Sequence, residues 1–556
     1  MNKLIQKQKT GWLAMAFMML PVMLHAQDTN RIYDTDSDIS HNVTVRSGAN
    51  VCEIVGDKEY ADLGDALAVV KNNQTIKLLQ TINYTKGIEI TGKSITFDLN
   101  GFSLNVEAMF PLQVSNVGSE VKLTGKGEFN ATSNHPNGKG VFVQNGGKAT
   151  VTNVTGYSYG VDARKNATVT VSGNAIGQEG VVAYSSIVKV TGNAIGNRLG
   201  GVTANSGSNV SVMGDARGGD WGVSTEDLSI VTVMGDAVGN KCGIAANDLS
   251  IVTVSGNAIG DVVGIYAEGG SSVSVKGDVI GGSVASGFRR INGGRGIFAD
   301  DNNTTVTVSG NIIGSSIDGV SASNGSVVKV TGDVITTLGK TGVFYSTGVH
   351  AMQNATVTIS GNVTGQAGVN AIEDATVMIG GDVIGGNFGG GVYVYNIVEN
   401  MNGNRGVNDI QNYGSKITID GLIKVPDGVT FISLGTHTEA PRTSSFLTLT
   451  HADHQPTSTK LGYLEYTDGT NYVWVKGSIT STDIISQPSS TLKASFQSGY
   501  MYISGLTVGD LWAVYNLSGA IVYQSRATAE EAVINLQEKG LFIIVSAGQS
   551  VKAVNF

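Results

Sequence analysis

The nonapeptide VTVSGNAIG, starting at Val169, is restated with small changes by VKVTGNAIG from Val188, VTVMGDAVG from Val231, VTVSGNAIG from Val252 and VTVSGNIIG from Val306. The glycine closing each V-x-V-x-G run falls at Gly173, Gly192, Gly214, Gly235, Gly256, Gly277, Gly310, Gly332, Gly361 and Gly381. Most steps are 19–22 residues, with two longer ones of 33 and 29. A second anchor, G-[VI]-x-A, keeps the same beat at Gly160, Gly180, Gly201, Gly222, Gly243, Gly264, Gly296, Gly319, Gly348 and Gly368. A unit this short cannot bury its own apolar face; only stacking on its neighbours does so.

Each repeat holds three short apolar runs separated by Gly or polar turns. Val alternates with Thr or Ser, the period of a strand with one buried face. The Gly-Asn and Gly-Asp pairs suit corners that need a positive φ. The unit is too long for a hexapeptide solenoid and lacks the Leu and Asn pattern of leucine-rich repeats. The spacing therefore predicts an all-β parallel β-helix of about 21 residues per coil. Asn174, Asn193, Asp215, Asp236, Asn257, Asp278, Asn311, Asp333, Asn362 and Asp382 then stack in one column. The expected role is a side-chain ladder for corner backbone groups, with calcium binding by the carboxylates as the alternative.

Composition narrows the class. With 41% hydrophobic residues, and 76 Gly but no Gly-X-Y period, the chain is neither disordered nor collagen-like. A net charge of −9 without a basic patch excludes a nucleic-acid partner. Lys3, Lys7 and Lys9, the apolar run 12–24 and the small residue Ala26 predict an export signal over 1–26. That run is too short to span a bilayer and no later segment is long enough, so no transmembrane segment is expected. Residues 27–50 read as a linker. Cys52 and Cys242 are several coils apart and read as unpaired.

The stretches YADLGDALAVVKNNQTIKLLQTI from Tyr60 and GIEITGKSITFDLNGFSL from Gly87 place a short amphipathic helix over 63–70, ahead of the first coils. Such a helix covers the open end of a solenoid core. With the repeats, residues 51–476 resemble the right-handed parallel β-helix, pectate-lyase-like proteins, especially repeat-bearing surface proteins of Bacteroidota. The cap and first coils take 51–110 and the helix proper 111–476, with strands near 463–478 closing it. A polar linker over 477–490 leads to 491–556, where KASFQ, YMYISG, LWAVYN, AIVYQ, AVINL and LFIIVSA read as a small antiparallel β-sandwich. VYNLSGAIVYQ, INLQEKGLFIIV and VKAVNF resemble the C-terminal sorting domains of type IX secretion substrates, although Asn555-Phe556 replaces the usual basic ending. That resemblance implies export and retention at the cell surface.

The residue four after each G-[VI]-x-A glycine forms an outward column, Arg164, Tyr184, Asn205, Glu226, Asn247, Glu268, Asp300 and Ser323. Glu268 and Asp300 stand on adjacent coils about 5 Å apart, a spacing that suits paired catalytic carboxylates. Asp227, Asp248 and Asp301 flank them, and Arg289, Arg290 and Arg295 precede Gly296, where they could neutralise an acidic sugar. Insertions around 282–295, 334–347 and 385–390 share one corner and are expected to project to one side as a binding face. The second carries Lys340, Phe344 and Tyr345, and Tyr393 and Tyr395 follow the third. Aromatic rings beside acids are what a glycan groove uses.

Two functions fit. One is a non-catalytic adhesin for polysaccharide, surface glycan or a host or bacterial surface protein; the other is a polysaccharide lyase or glycoside hydrolase built on Glu268, Asp300, Arg289 and Arg290. Neither the clustered Asp calcium ligands of pectate lyases nor the paired-Asp and His-Gly motifs of polygalacturonases can be matched. No organic cofactor is implied. His350, in GVHA, reads as an exposed turn residue. The outward Thr and Ser columns suggest an ice-binding surface, but Lys189, Lys329, Met213 and Met234 interrupt them.

Overall fold

The structure, a computed structural model, describes residues 49–282, 294–314, 317–336, 346–398, 414–439, 442–476, 492–497, 499–516, 520–536, 539–546 and 549–555. The expected export segment and Arg289, Arg290, Lys340, Phe344 and Tyr345 lie outside the described residues.

The repeats wind into a right-handed parallel β-helix of about 14 turns. One coil runs from the third-wall strand Glu179–Tyr184 to the first-wall strand Ile187–Val190, then to the short strand Ala194–Gly196, before Gly200–Asn205 starts the next. Register is kept on all three walls: Val188 pairs with Val210, Ala194 with Ala216 and Val181 with Val202, all in parallel. Val169, Val171, Val188, Val190, Val210 and Val212 are fully or almost fully buried. Each contributes about 1.5–3 kcal/mol relative to exposure. Their Thr, Ser and Lys partners on the same strands face outward, as the alternation requires.

The corner ladder forms. Asp236 N donates to Asp215 Oδ1 at 2.9 Å, Asn257 N to Asp236 Oδ1 at 2.8 Å, and Asp278 N to Asn257 Oδ1 at 2.8 Å. The bonds continue to Leu422 N, which donates to Asp382 Oδ1 at 2.8 Å. Each side chain thus satisfies the amide of the next coil, the role expected for a structural ladder.

The glycine before each ladder residue is required for space and not for backbone angle. The corner glycines are not among the residues of positive φ, which corrects the sequence expectation. A Cβ on Gly235 would sit 2.2 Å from Asp215 Oδ1, and one on Gly256 2.3 Å from Asp236 Oδ1. The ladder side chain of the preceding coil fills that volume. Positive φ occurs instead at the turn between third and first walls, at Asn166 (63°), Gly207 (73°) and Gly270 (74°), and at Leu228 (59°) and Leu249 (58°).

Both ends are closed. The helix Leu63–Val69 is capped by Asp62, whose carboxylate accepts from Gly64 N, and it turns Leu63 and Ala66 onto the core. At the other end Tyr472–Val475 makes the last parallel rung on Lys416–Ile419, and Leu464–Thr467 folds back antiparallel against it. Tyr466, fully buried, joins the end of the core.

The third insertion departs from expectation. Residues 385–390 do not project as a loop; they belong to one continuous strand, Val383–Val398, bulged where Gly365 pairs with Gly385 and Ala367 with Gly390. Run after run of glycine lets the extra residues lie along the wall.

The C-terminal region has a three-stranded and a four-stranded antiparallel sheet. Met501, Ile503, Trp512, Val514, Ile534, Phe542 and Ile544 fill a core of their own. All six strands read from the sequence are present, with Gln549–Asn555 as a seventh.

Candidate binding face on the third wall

The variable x of G-[VI]-x-A points outward, so successive coils bring x residues into one column. Tyr266 and Phe298 hold the same register on neighbouring strands and stack, with centroids 5.1 Å apart and planes 12° from parallel. An insertion separates them in sequence without disturbing the register. Toward the N-terminus the column continues with Ala245 and Ser224, opposite one another in register. Beside that floor of small residues lies Trp221, with Lys241 Nζ 5.2 Å from its ring centroid and donating to Asp220 Oδ2 at 2.7 Å. Trp221, Tyr266 and Phe298 all pack against the buried Cys242, Val262 and Val263.

The opposite end of the face is ionic. Arg295 Nε donates to Asp318 Oδ2 at 3.1 Å, and its guanidinium lies 5.4 Å from the Phe298 centroid. His350 Nδ1 is 3.9 Å from the same carboxylate oxygen. His350 therefore belongs to the strand Thr347–Met352 and is half-buried, not an exposed turn residue as its sequence suggested. Burial alone would raise the Asp318 carboxyl; the nearby His350 ring and the Arg295 guanidinium bonded to it outweigh burial and hold the group below the usual carboxylate range. His350 Nε2 and Asn247 Oδ1, on the same outer face, are buried and have no hydrogen-bond partner among the described residues.

The structure brings some sequence candidates together and separates others. Glu268 and Asp300 do occupy successive rungs, since Asp300 N bonds Ala267 O. Their carboxylates are engaged differently. Tyr266 OH donates to Glu268 Oε2 at 2.5 Å, while Asp300 Oδ1 accepts from Ser323 Oγ at 2.7 Å and Asn324 Nδ2 at 2.8 Å. Asp301 Oδ2 accepts from Gly269 N at 3.1 Å and so braces a turn. Glu226 and Asp248 are exposed at the rim. Tyr393 donates to Gly389 O, and Tyr395 packs edge-on against Phe446 with centroids 5.9 Å apart. Those two tyrosines serve the C-terminal coils, about 24 Å from Tyr266 at one rung per 4.8 Å.

Trp221, Tyr266, Phe298, Asp318 and the pairing of His350 were not singled out from sequence. A signal existed, because Tyr266, Phe298 and His350 all stand at the x of the second anchor and Trp221, Arg295 and Asp318 stand just before its glycine. Among the described residues no group of three or more His, Cys, Asp or Glu is placed to hold a metal ion. No described helix is long and apolar enough to cross a membrane. Comparison of the sequence with protein-family models and with curated proteins finds no match.

Proposed function

We propose that this is an exported, surface-displayed β-helix that binds glycan on its third wall without transforming it. The observation that carries the reading is the Tyr266–Phe298 stack next to Ala245 and Ser224 in register, with Trp221 packed on the same buried cluster. Rings present apolar faces on which a pyranose packs, and the nearby Glu268 carboxylate offers an acceptor to its hydroxyls. The described charges favour a neutral sugar. Arg295 and Lys241 are held by Asp318 and Asp220, whereas Glu226, Asp227, Asp248 and Asp301 leave an acidic rim. The proposed display at the cell surface rests on the signal-like segment 1–26 and the sorting-domain resemblance of 491–556.

The test is incubation of the chain from Gln27 with neutral and acidic plant, host and microbial polysaccharides, following retention, new reducing ends and unsaturated products. Retention of neutral polymers without products supports the reading. Products that disappear in a Glu268→Gln, Asp300→Asn double variant would replace it with the hydrolase or lyase alternative.

A further inference from the structure

Toward the N-terminus of the third wall, three successive strands bring a second set of charges together. Lys139–Gln144, Tyr159–Arg164 and Glu179–Tyr184 pair in parallel, so Phe142, Asp162 and Val182 share one register position and Gln144, Arg164 and Tyr184 another. The Asp162 carboxylate is fully buried. Lys139 Nζ lies 2.6 Å from its Oδ2, and Arg164 Nε donates to its Oδ1 at 2.7 Å. The Lys139 ammonium is walled in, 3.9 Å from the Phe142 centroid. The Arg164 side chain is 40% exposed, with its guanidinium 5.3 Å from the Tyr184 centroid. Among the described residues only its Nε meets a protein acceptor.

The solenoid does not need charge at this place. Val182, Thr203, Ser224 and Ala245 hold the position of Asp162 on the coils that follow. An ion pair drawn into a dry wall also stabilises no better than apolar side chains of similar size. What the triad supplies is a fixed arginine. One carboxylate shared by two cations leaves a net positive charge, and Lys165, exposed at the next turn, adds to it. Glu179, the other carboxylate on these strands, accepts from Thr203 Oγ1 at 2.8 Å on the coil beyond, and burial pushes its carboxyl above the usual range. The rim near Tyr266 has the opposite sign, with Glu226, Asp227, Asp248 and Asp301. A guanidinium held through Nε keeps its terminal amino groups for a bidentate anion.

We infer that Arg164, oriented by the buried Asp162, is a binding site for the anionic group of a carboxylate- or sulfate-bearing saccharide. Only the saccharide nature of the ligand rests on the glycan reading above. Tyr184, beside the guanidinium, supplies the ring surface that favours a sugar over a bare anion. The site stands five rungs from Tyr266, about 24 Å, so the charged and neutral contacts are separate.

Unmodified dextran, carboxymethyl-dextran and dextran sulfate share one backbone and differ in the anionic group. Each is immobilised, and retention of the chain from Gln27 is followed at low and at raised salt. A charged dextran should retain the chain despite its net charge of −9, less so as salt rises, and more strongly than unmodified dextran does. The preferred one of the two charged polymers tells carboxylate from sulfate. Arg164→Gln should weaken that retention about tenfold or more, and Arg164→Lys should recover only part of it, because an ammonium lacks the fork. Tyr184→Glu changes an exposed side chain, sets a carboxylate against the guanidinium and should weaken retention without touching Asp162. Tyr266→Ala should leave charged retention unchanged whatever it does to neutral polymers, so failure of the glycan reading and failure here are told apart. The inference is overturned if neither charged dextran retains the chain, if unmodified dextran retains it equally, or if retention survives Arg164→Gln and Tyr184→Glu.

Discussion

Replacing Asp318 by Asn keeps the shape of the side chain and removes its charge. Asp318 is 3% exposed. In its pair with Arg295, 3.1 Å apart, the two side chains are only 4% and 17% exposed, so solvent does little to screen the interaction. The substitution strands a guanidinium in a largely dry site, which costs about 3 kcal/mol, the lower end for a broken buried pair. A solenoid opens coil by coil, so the loss should appear locally and not as a shift of the whole unfolding transition. Hydrogen exchange of the strands Arg295–Ala299 and Asp318–Ala322 is the assay. At neutral pH their amides should exchange about a hundredfold faster in the variant, while coils far toward the N-terminus stay unchanged. The pH dependence has a definite sign. Because the folded carboxyl titrates below its unfolded value of about 3.9, its contribution is complete above about pH 4 and is lost as pH falls through the folded value. Wild type and variant should therefore converge in acid. An acceleration below about threefold at neutral pH, or a difference that grows in acid, would refute the assignment of a stabilising ion pair here.

Three further outcomes are expected. Asn257→Ala removes the acceptor for Asp278 N, 2.8 Å away, and should cost about 1 kcal/mol in urea-induced opening of the central coils. Gly243→Ala places a Cβ 2.5 Å from Ile259 N and 2.8 Å from Gly264 O, backbone atoms that cannot swing aside, so the variant should lose soluble folded protein or expose the adjoining coils to protease. Burial pushes the Cys52 thiol up to about 11 and the Cys242 thiol up to about 12, so neither should be alkylated in the native chain at mildly alkaline pH and both should react after denaturation.

Much of the fold was legible because it repeats. A strand period, a Gly-Asn or Gly-Asp corner and a coil length are each stated ten times, and stacking is the only way to bury the Val columns. The cap helix was legible from the amphipathic stretch 63–70, and the closing strands from the apolar stretch 463–478; the Asp62 cap and the antiparallel pairing of Leu464–Thr467 came from the structure. Two errors share a cause. The corner glycines were read from backbone preference, whereas the steric reason, the ladder carboxylate of the preceding coil, exists only once coils stack. Residues 385–390 were read as a projecting loop because insertions usually are, yet glycine let the strand absorb them as a bulge. The binding face was harder still. Its side chains sit at variable positions of the repeat, the x of the second anchor and the residue before its glycine, and Tyr266 meets Phe298 only after the intervening insertion is discounted. The burial of Asp318 depends on Arg295 and His350 arriving from neighbouring coils, which no local pattern encodes.

The proposed binding face is tested most directly by affinity electrophoresis through gels containing neutral glucan, mannan or xylan. The wild-type chain, Tyr266→Ala and Ser224→Arg should be run side by side. At least one polymer should retard the wild type. Tyr266→Ala should weaken that retention about three- to tenfold, the worth of one ring contact, and Ser224→Arg should abolish it by filling the floor. Retention that survives both substitutions unchanged would place the ligand elsewhere and contradict the account.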